Sequence, residues 1–533
     1  MKKQLIKILS IALGVIVFMS CGDDGEETPD LTSISSLAGD WIDETISSGG
    51  NGGLLILNFD ISDSSATVYA ATQNDAGISC EDLYIRNIAP SGGNTFTGEG
   101  LLSSGFEDIT LMLSDENTME ITWDCSACNP TVDVLRRLTN LSEAVPIEIS
   151  NNIDIETTFF NITCDPGVPD YLVTNLISVR EHLTIQPGVT IAFAANAGMD
   201  ITDVNADGSL SAEGTGPDQI YFTGLEKQAG FWRGLSFESN DVRNRLRWVT
   251  VEYAGSDPIV TYGTGIALHG AVAIESESGF NGSLSIERST IANTSGYGLI
   301  VEEGTLLQKF AANAFINNTA SALRIDANNV GALGGFTDFF GGSQGVGTNG
   351  FNGVEINASG SPVHDLTTDA TWPSLPGGAV YKVVQSFDVQ AKLTIEPGVI
   401  IEFEANETMY FEQDFSGPND GIIIAKGTAG EPITFTGVQK MAGYWKGLVI
   451  QSNSLLNEME NCIVEYGGSD VVVLEAANII VERDGAYVPA DLTIRNSIIR
   501  HSAGCGIVVE SDLSNFTANN NTYTNNAGNN VCN

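Results

Sequence analysis

Basic residues are scarce in this chain. Its 533 residues hold 23 Lys and Arg against 67 Asp and Glu, a formal charge of −44. So few cations exclude nonspecific nucleic-acid binding, which needs a basic face to displace phosphate counterions. They also argue against docking on anionic lipid through protein charge. Histidine is scarcer still, with four residues. His182, His269, His364 and His501 share no motif spacing, so neither a histidine-based triad nor a zinc site is supported. No Gly-rich phosphate loop stands between a strand and a helix. Beyond the N-terminus no apolar run is long enough to span a membrane, and no helix-long amphipathic run is present to build a βαβ sheet. So large a net charge does not by itself mean disorder. Charged residues are 17% and hydrophobic ones 42%, a folding composition. With 58 Gly and many Val, Ile, Thr and Asn, the chain reads as all-β and rich in turns.

Residues 1–20, MKKQLIKILSIALGVIVFMS, start basic and continue into an apolar run, Ile8 to Phe18, too short for an ordinary span. This is a secretory signal pattern. Cys21 follows the small Ser20 directly. The arrangement resembles a bacterial lipoprotein signal, in which that cysteine becomes the lipidated first residue. Phe18 and Met19 depart from the commonest residues of that motif, and the alternative is an ordinary signal peptide with an incidental cysteine. Residues 21–35 include Asp23, Asp24, Glu26, Glu27 and Asp30 without apolar periodicity, as expected of a disordered acidic tether. An acidic tract here is similar to the surface-export signal of Bacteroidetes lipoproteins. That resemblance implies an outer-membrane, lipid-anchored protein on the cell surface, with the periplasmic face as the alternative. The lipid is then the only membrane contact.

Both compartments are oxidising, so cysteines can pair. Cys125-Ser-Ala-Cys128 is a CxxC without a second CxxC and without a βαβ context, so it reads neither as zinc ligand nor as redox motif. The candidate disulfide cysteines are Cys80, Cys125, Cys128, Cys164, Cys505 and Cys532. Cys80 pairs most simply with Cys125 or Cys128, and Cys505 with Cys532 would pin the C-terminal end.

Residues 36–140 read as eight short strands beginning near Trp41, Leu54, Ser65, Asp82, Asn94, Asp108, Thr118 and Thr131. Eight antiparallel strands suggest a closed up-and-down barrel, which leaves no edge exposed. Gly39-Asp40-Trp41 on the first strand and Arg136 or Arg137 on the last make the segment similar to a lipocalin-like domain. That resemblance implies an arginine over the tryptophan ring at the closed end. It also implies room for a small apolar ligand. A filled barrel serving as spacer or interaction module is the reading preferred for the residues themselves.

Residues 150–360 and 361–533 are two copies of one repeat. Tyr171 begins YLVTNLISVREHLTIQPGVTIAF and Tyr381 begins YKVVQSFDVQAKLTIEPGVIIEF; VTVEYAGSD (249–257) matches CIVEYGGSD (462–470). Cys462 lies opposite Val249 and therefore belongs in the core. Within each copy, short in/out strands alternate with Gly, Asn, Ser or Asp every roughly twenty to twenty-five residues, a β-helix pattern whose coils bury their apolar sides only by stacking. Asn313, Asn317, Asn318, Asn519, Asn520, Asn521, Asn525 and Asn526 suit the turns. Leu393–Gly398, Pro432–Gly437 and Gly443-Tyr-Trp-Lys-Gly447 resemble the right-handed parallel β-helix of the pectate-lyase-like superfamily, as in Bacteroidetes surface proteins.

Trp232 with Arg233 and Trp445 with Lys446 recur in equivalent places. A tryptophan beside a cation can stack on a sugar, so these four are candidate ligand contacts; the structural reading is a core tryptophan that fixes the repeat. Asp203, Asn205 and Asp207 space oxygen ligands like half an EF-hand loop, which makes Ca2+ the one cofactor suggested. Copy two offers Glu412, Asp414, Asn419 and Asp420 at another spacing. Glu252/Glu465 and Asp257/Asp470 recur as architecture does, and no catalytic set is identified. The expected function is a lipid-anchored, non-enzymatic binding or adhesion scaffold for a polysaccharide or cell-surface protein. A β-helix polysaccharide lyase or glycoside hydrolase is the alternative, and a structural spacer the second.

Overall fold

The computed structural model describes residues 31–43, 55–71, 82–102, 105–124, 132–139, 145–163, 167–202, 207–261, 266–277, 280–341, 348–356, 365–412, 421–483, 489–510 and 515–533. Cys21, Cys80, Cys125, Cys128 and Cys164 lie outside them. Residues Gly39–Asp43 to Val132–Arg137 form a closed barrel of eight antiparallel strands in sequential order. Alternation along each strand sends Trp41, Leu57, Phe96, Leu111, Met119 and Leu135 inward to one apolar cluster. The Trp41 indole donates to the Leu37 carbonyl at 2.8 Å, and the Arg137 guanidinium lies 4.2 Å from its ring centroid. Arg137 also donates to the carbonyls of Ser36 and Ala38, closing this end of the barrel. Arg136 takes no part in that stack, because the one-residue step puts it opposite Ile42, on the outer side of the wall.

Ile42 and Ile56 face each other across the first two strands. They belong to the apolar cluster of the following parallel sheets, together with Leu138 and Val145. The outer wall of the barrel therefore covers apolar surface of the first coils, which an isolated solenoid end would expose to water.

From Ile147 onward all long sheets are parallel, one strand per coil, and the coils form a parallel β-helix. A corner must turn the chain within one or two residues and return it to register. That geometry requires a left-handed residue, and asparagine tolerates it best after glycine. Asn293, Asn317, Asn461, Asn496, Asn520 and Asn525 all have φ between 48° and 56°. The residue after the corner points inward and carries a second asparagine role. The amide of Asn313 accepts from the Ser289 N–H at 3.1 Å and donates to the Ile286 carbonyl at 3.0 Å. Asn521 and Asn526 bond the preceding coil in the same way, while the Asn318 amide only donates, to the Ile291 carbonyl at 3.2 Å. These amides satisfy backbone groups that a turn leaves unpaired in the interior.

The two copies share one sheet of thirteen strands, running from Leu176–Val179 to Thr522–Thr524. Equivalent strands do not occupy equivalent faces. Tyr171–Val173 lies in a separate seven-stranded sheet, whereas its counterpart Val380–Val383 lies in the thirteen-stranded one. Copy two is advanced by one strand position around the coil. Strands stack by backbone bonds and apolar fill, so Val354 accepts Tyr381 as neighbour in register although their copies differ in phase.

Cys505 and Cys532 form a disulfide between adjacent strands of the last two coils, across 27 residues. The strand Phe516–Asn519 of that coil is largely exposed. Replacing both cysteines by serine is expected to release about 3 kcal/mol of local constraint. Hydrogen exchange should then show lost protection over 516–533, with residues 171–450 unchanged.

Candidate functional site

The recurring tryptophans are fully buried. Trp232 stacks on Phe193 with ring centroids 4.0 Å apart and 11° between planes, and Trp445 on Phe403 at 4.2 Å and 6°. Each indole N–H donates to a glutamate carbonyl one coil on, Glu252 at 2.8 Å and Glu465 at 2.9 Å. This corrects the ligand-contact reading: neither ring has a face open to a sugar. Their cationic neighbours are also engaged. Arg233 pairs with Asp200, and Lys446 reaches the Tyr410 hydroxyl at 3.1 Å.

Glu252 and Glu465 recur for a further reason. Thr223 donates to Glu252 at 2.8 Å while Lys227 donates to the same threonine at 2.6 Å. In copy two Thr436 donates to Glu465 at 3.1 Å and Lys440 to Thr436 at 3.3 Å. Each set braces two coils beside a buried tryptophan. Asp470 holds the N–H of Val471 at 2.8 Å and starts a loop whose Val472 and Val473 pack over outward-facing Val449, Ile480 and Val508. The loop after Asp257 does the same with Ile259, Val260 and Leu268 over Ala273 and Ile300.

The histidines are scattered. His182 bonds Ser209 at 2.8 Å, His269 the Gly255 carbonyl at 3.0 Å, and His501 stacks on Tyr466. His364 lies outside the described residues, as do Asp203, Asn205, Asp414, Asn419 and Asp420; Asp207 is exposed. Among the described residues the one tight group of three ligand atoms is Glu475 with Cys505 and Cys532, and there the two sulfurs are bonded to each other. Cys462 is buried, and burial pushes its thiol up to about 12, which removes it from thiolate chemistry.

What the structure assembles instead is a column of carboxyl groups. Glu238, Glu275 and Glu302 each follow directly on a strand of the long sheet, and each continues its backbone ladder: Glu275 N–H to the Phe237 carbonyl at 2.9 Å, Glu302 N–H to that of Ile274 at 3.0 Å. Stacking puts like charges on successive coils, about 4.8 Å apart. Burial, and then the charges of Glu302 and Glu238, push Glu275 up to about 8, against a bond from Ser236. In copy two the equivalent positions follow strands of a six-stranded sheet and carry Gln451, Glu482 and Glu510, where Gln451 donates to Glu482 at 2.6 Å. This column was visible in the sequence as an acid or amide after each equivalent strand, Ile274-Glu275 beside Val481-Glu482, but only as one acid among 67.

A second group opens copy two. Asp365 accepts the Asp388 N–H at 3.0 Å and the Gln390 amide at 3.3 Å. Burial, then Glu412 and Asp365, push the Asp388 carboxyl up to about 7, and Glu412 shares a hydrogen bond with it. A carboxyl that keeps its proton near neutrality beside an ionised one is an acid–base pair in chemical terms.

Glu275 sets a pH dependence. Its folded pKa lies above its unfolded one, so the native state binds the extra proton and stability falls as pH rises from about 5 to about 8. Glu275→Gln should flatten the denaturation midpoint across that window and raise stability at pH 8.5 by roughly 1–3 kcal/mol. An unchanged slope in the variant would place the pH dependence elsewhere.

No curated protein and no solved structure matches the chain. Residues 364–472 match the family model of the pectate-lyase like beta helix domain, and the structure places in that segment the Asp365, Asp388 and Glu412 group and the buried Trp445.

Proposed function

We propose that the protein is a lipid-anchored, surface-exposed lipoprotein that acts as a non-enzymatic binding or adhesion scaffold for a glycan or cell-surface partner. The observation that carries this reading is the uninterrupted thirteen-stranded sheet. It is a rigid face roughly 60 Å long at the usual strand spacing. Its outward positions stack in register as Arg324, Glu355, Lys382 and Glu402. Lys382 pairs with Glu355 at 2.9 Å and lies 3.9 Å from the Phe351 ring centroid, and Arg324 donates to the Tyr297 hydroxyl at 2.9 Å. Ordered, mutually neutralised polar groups on a long face suit an extended ligand at low entropic cost. The charge of −44 favours a neutral glycan or a protein over a polyuronate. Cys21 and the acidic residues behind it support the anchor and the surface location. Labelling with a palmitate analogue should mark the wild-type chain and not Cys21→Ala, and protease shaving of intact cells should remove the labelled chain. An array of neutral and acidic polysaccharides should retain the protein on neutral members without cleavage products; silence on every member and with cell-surface proteins would leave the spacer reading.

The second reading, a glycoside hydrolase, is favoured by one observation, the raised Asp388 carboxyl beside Glu412. Hydrolysis uses a protonated and an ionised carboxyl on either side of the glycosidic bond, about 5 Å or more apart, so this hydrogen-bonded pair has to part to admit a sugar. On this reading Asp388→Asn and Glu412→Gln each abolish release of reducing ends while the thermal midpoint holds. Cleavage that survives both changes rules out this pair.

A further inference from the structure

The two copies meet out of phase, and the step between them leaves a gap on one side of the solenoid. The first six-stranded sheet ends with Leu306–Ala311, and the second opens with Ala370–Trp372. Between them, among the described residues, the chain adds to the first sheet only a bridge from Phe310 to Leu333, beside the short 3-10 turn Val330–Ala332. A crevice of about 200 Å³ opens at this step. Phe310, Leu333 and Phe339 of the first copy line it, with Leu375 and Pro376 of the second, and Gly334 lies in its wall.

Beside the crevice stands Phe336, 91% exposed and the most exposed large apolar side chain among the described residues. It belongs to the segment that forms one wall, yet it is not part of the lining. Its ring points into water, so it does not fill the crevice of its own chain. The same short segment thus presents a knob and a hole on one face. About a twofold axis each knob meets the other copy's hole, and the contact is made twice. A foreign partner would use only one of the two features.

Charge points the same way. A second copy approaches against a net charge of −44, and like charges oppose it over most of the surface. This face is the exception. Residues 327–337, 339–354 and 370–381 contain no charged side chain. The charged residues adjoining the lining are Lys309 and Asp338, of opposite sign. An apolar patch depleted of charge has the composition of an interface core.

We propose that the step between the two copies is a self-association face, on which Phe336 of each molecule lies in the crevice of the other. Each ring buries about 150–250 Å² and covers a similar area of crevice. That is the small end of specific interfaces, so a dissociation constant in the micromolar range or weaker is expected. The face lies between the six-stranded sheets, on other strands than the outward row of Arg324, Glu355, Lys382 and Glu402. Self-association therefore does not depend on what the long sheet binds.

Sedimentation velocity of the full chain in a non-ionic detergent, from about 1 to about 100 µM, tests it. The expected result is a monomer–dimer equilibrium that shifts with concentration. Phe336→Ser removes the knob from an exposed position. Gly334→Lys fills the hole, and the fold accepts it because the backbone there is not left-handed and a Cβ meets nothing within 4 Å. Each variant should weaken the dimer tenfold or more with its thermal midpoint unchanged. An equimolar mixture should recover dimers that neither variant forms by itself, since one still has its hole and the other its knob. An unaltered chain that stays monomeric throughout overturns the proposal and leaves the crevice to a foreign aromatic side chain. Dimers as strong in both variants as in the unaltered chain, or a mixture no better than its components, overturn it too. Should Gly334→Lys fail to fold, the concentration dependence of the unaltered chain and the Phe336→Ser result still decide it.

Discussion

Every coil of the solenoid has to bring its strands back into hydrogen-bonding register with the coil before it, and the corners are where that is settled. A residue with φ near +55° turns the chain in one step, and the next residue points its side chain inward at backbone groups the turn has exposed. Asparagine serves both positions because its amide tolerates the left-handed region and offers a donor and an acceptor on one short stem. Asn317 and Asn318 are consecutive and take the two roles in turn. Where the inward residue is Ser289 or Ser497, the amide of Asn313 or Asn521 from the next coil completes the bond.

Once corners fix the register, side chains at one position stack coil on coil, and their chemistry is multiplied. Apolar positions gain a continuous core. Aromatic positions gain face-to-face partners, as with Trp232 on Phe193 and Trp445 on Phe403. Acidic positions meet like charges at strand spacing, which water does not screen where they are buried. The chain answers this in three ways. Alternating signs along the outward row set Glu355 between Arg324 and Lys382. An amide is interleaved at Gln451. Glu275 keeps its proton. The third answer is the one that leaves chemistry available, and Asp388 shares it.

The barrel follows a different rule, since its strands close on themselves and need no corner residue. Its two ends differ in character. One is sealed by the Arg137 guanidinium over Trp41, while the other buries Asp133, which accepts the Trp123 indole N–H. Its outer wall is joined to the solenoid core through the Ile42–Ile56 pair, so the barrel is part of the packing of the first coils rather than a bead on a tether.

The sequence by itself determined what depends on periodicity and local geometry. Alternation in 36–140 called for eight strands, and the strand starts agree within a few residues because each turn is a local signal. The two-copy repeat specified parallel coils and the core place of Cys462, while the sequence offered the pairing of Cys505 with Cys532 only as one way to pin the C-terminal end. Only the tertiary structure decided what depends on which residues meet. It buried Trp232 and Trp445, chose Arg137 over Arg136, and advanced copy two by one strand position. It also selected Glu275 and Asp388 from a crowd of carboxylates. Charge and residue type are written in the chain, but desolvation and the sign of the nearest neighbour exist only after strands far apart in sequence have been stacked.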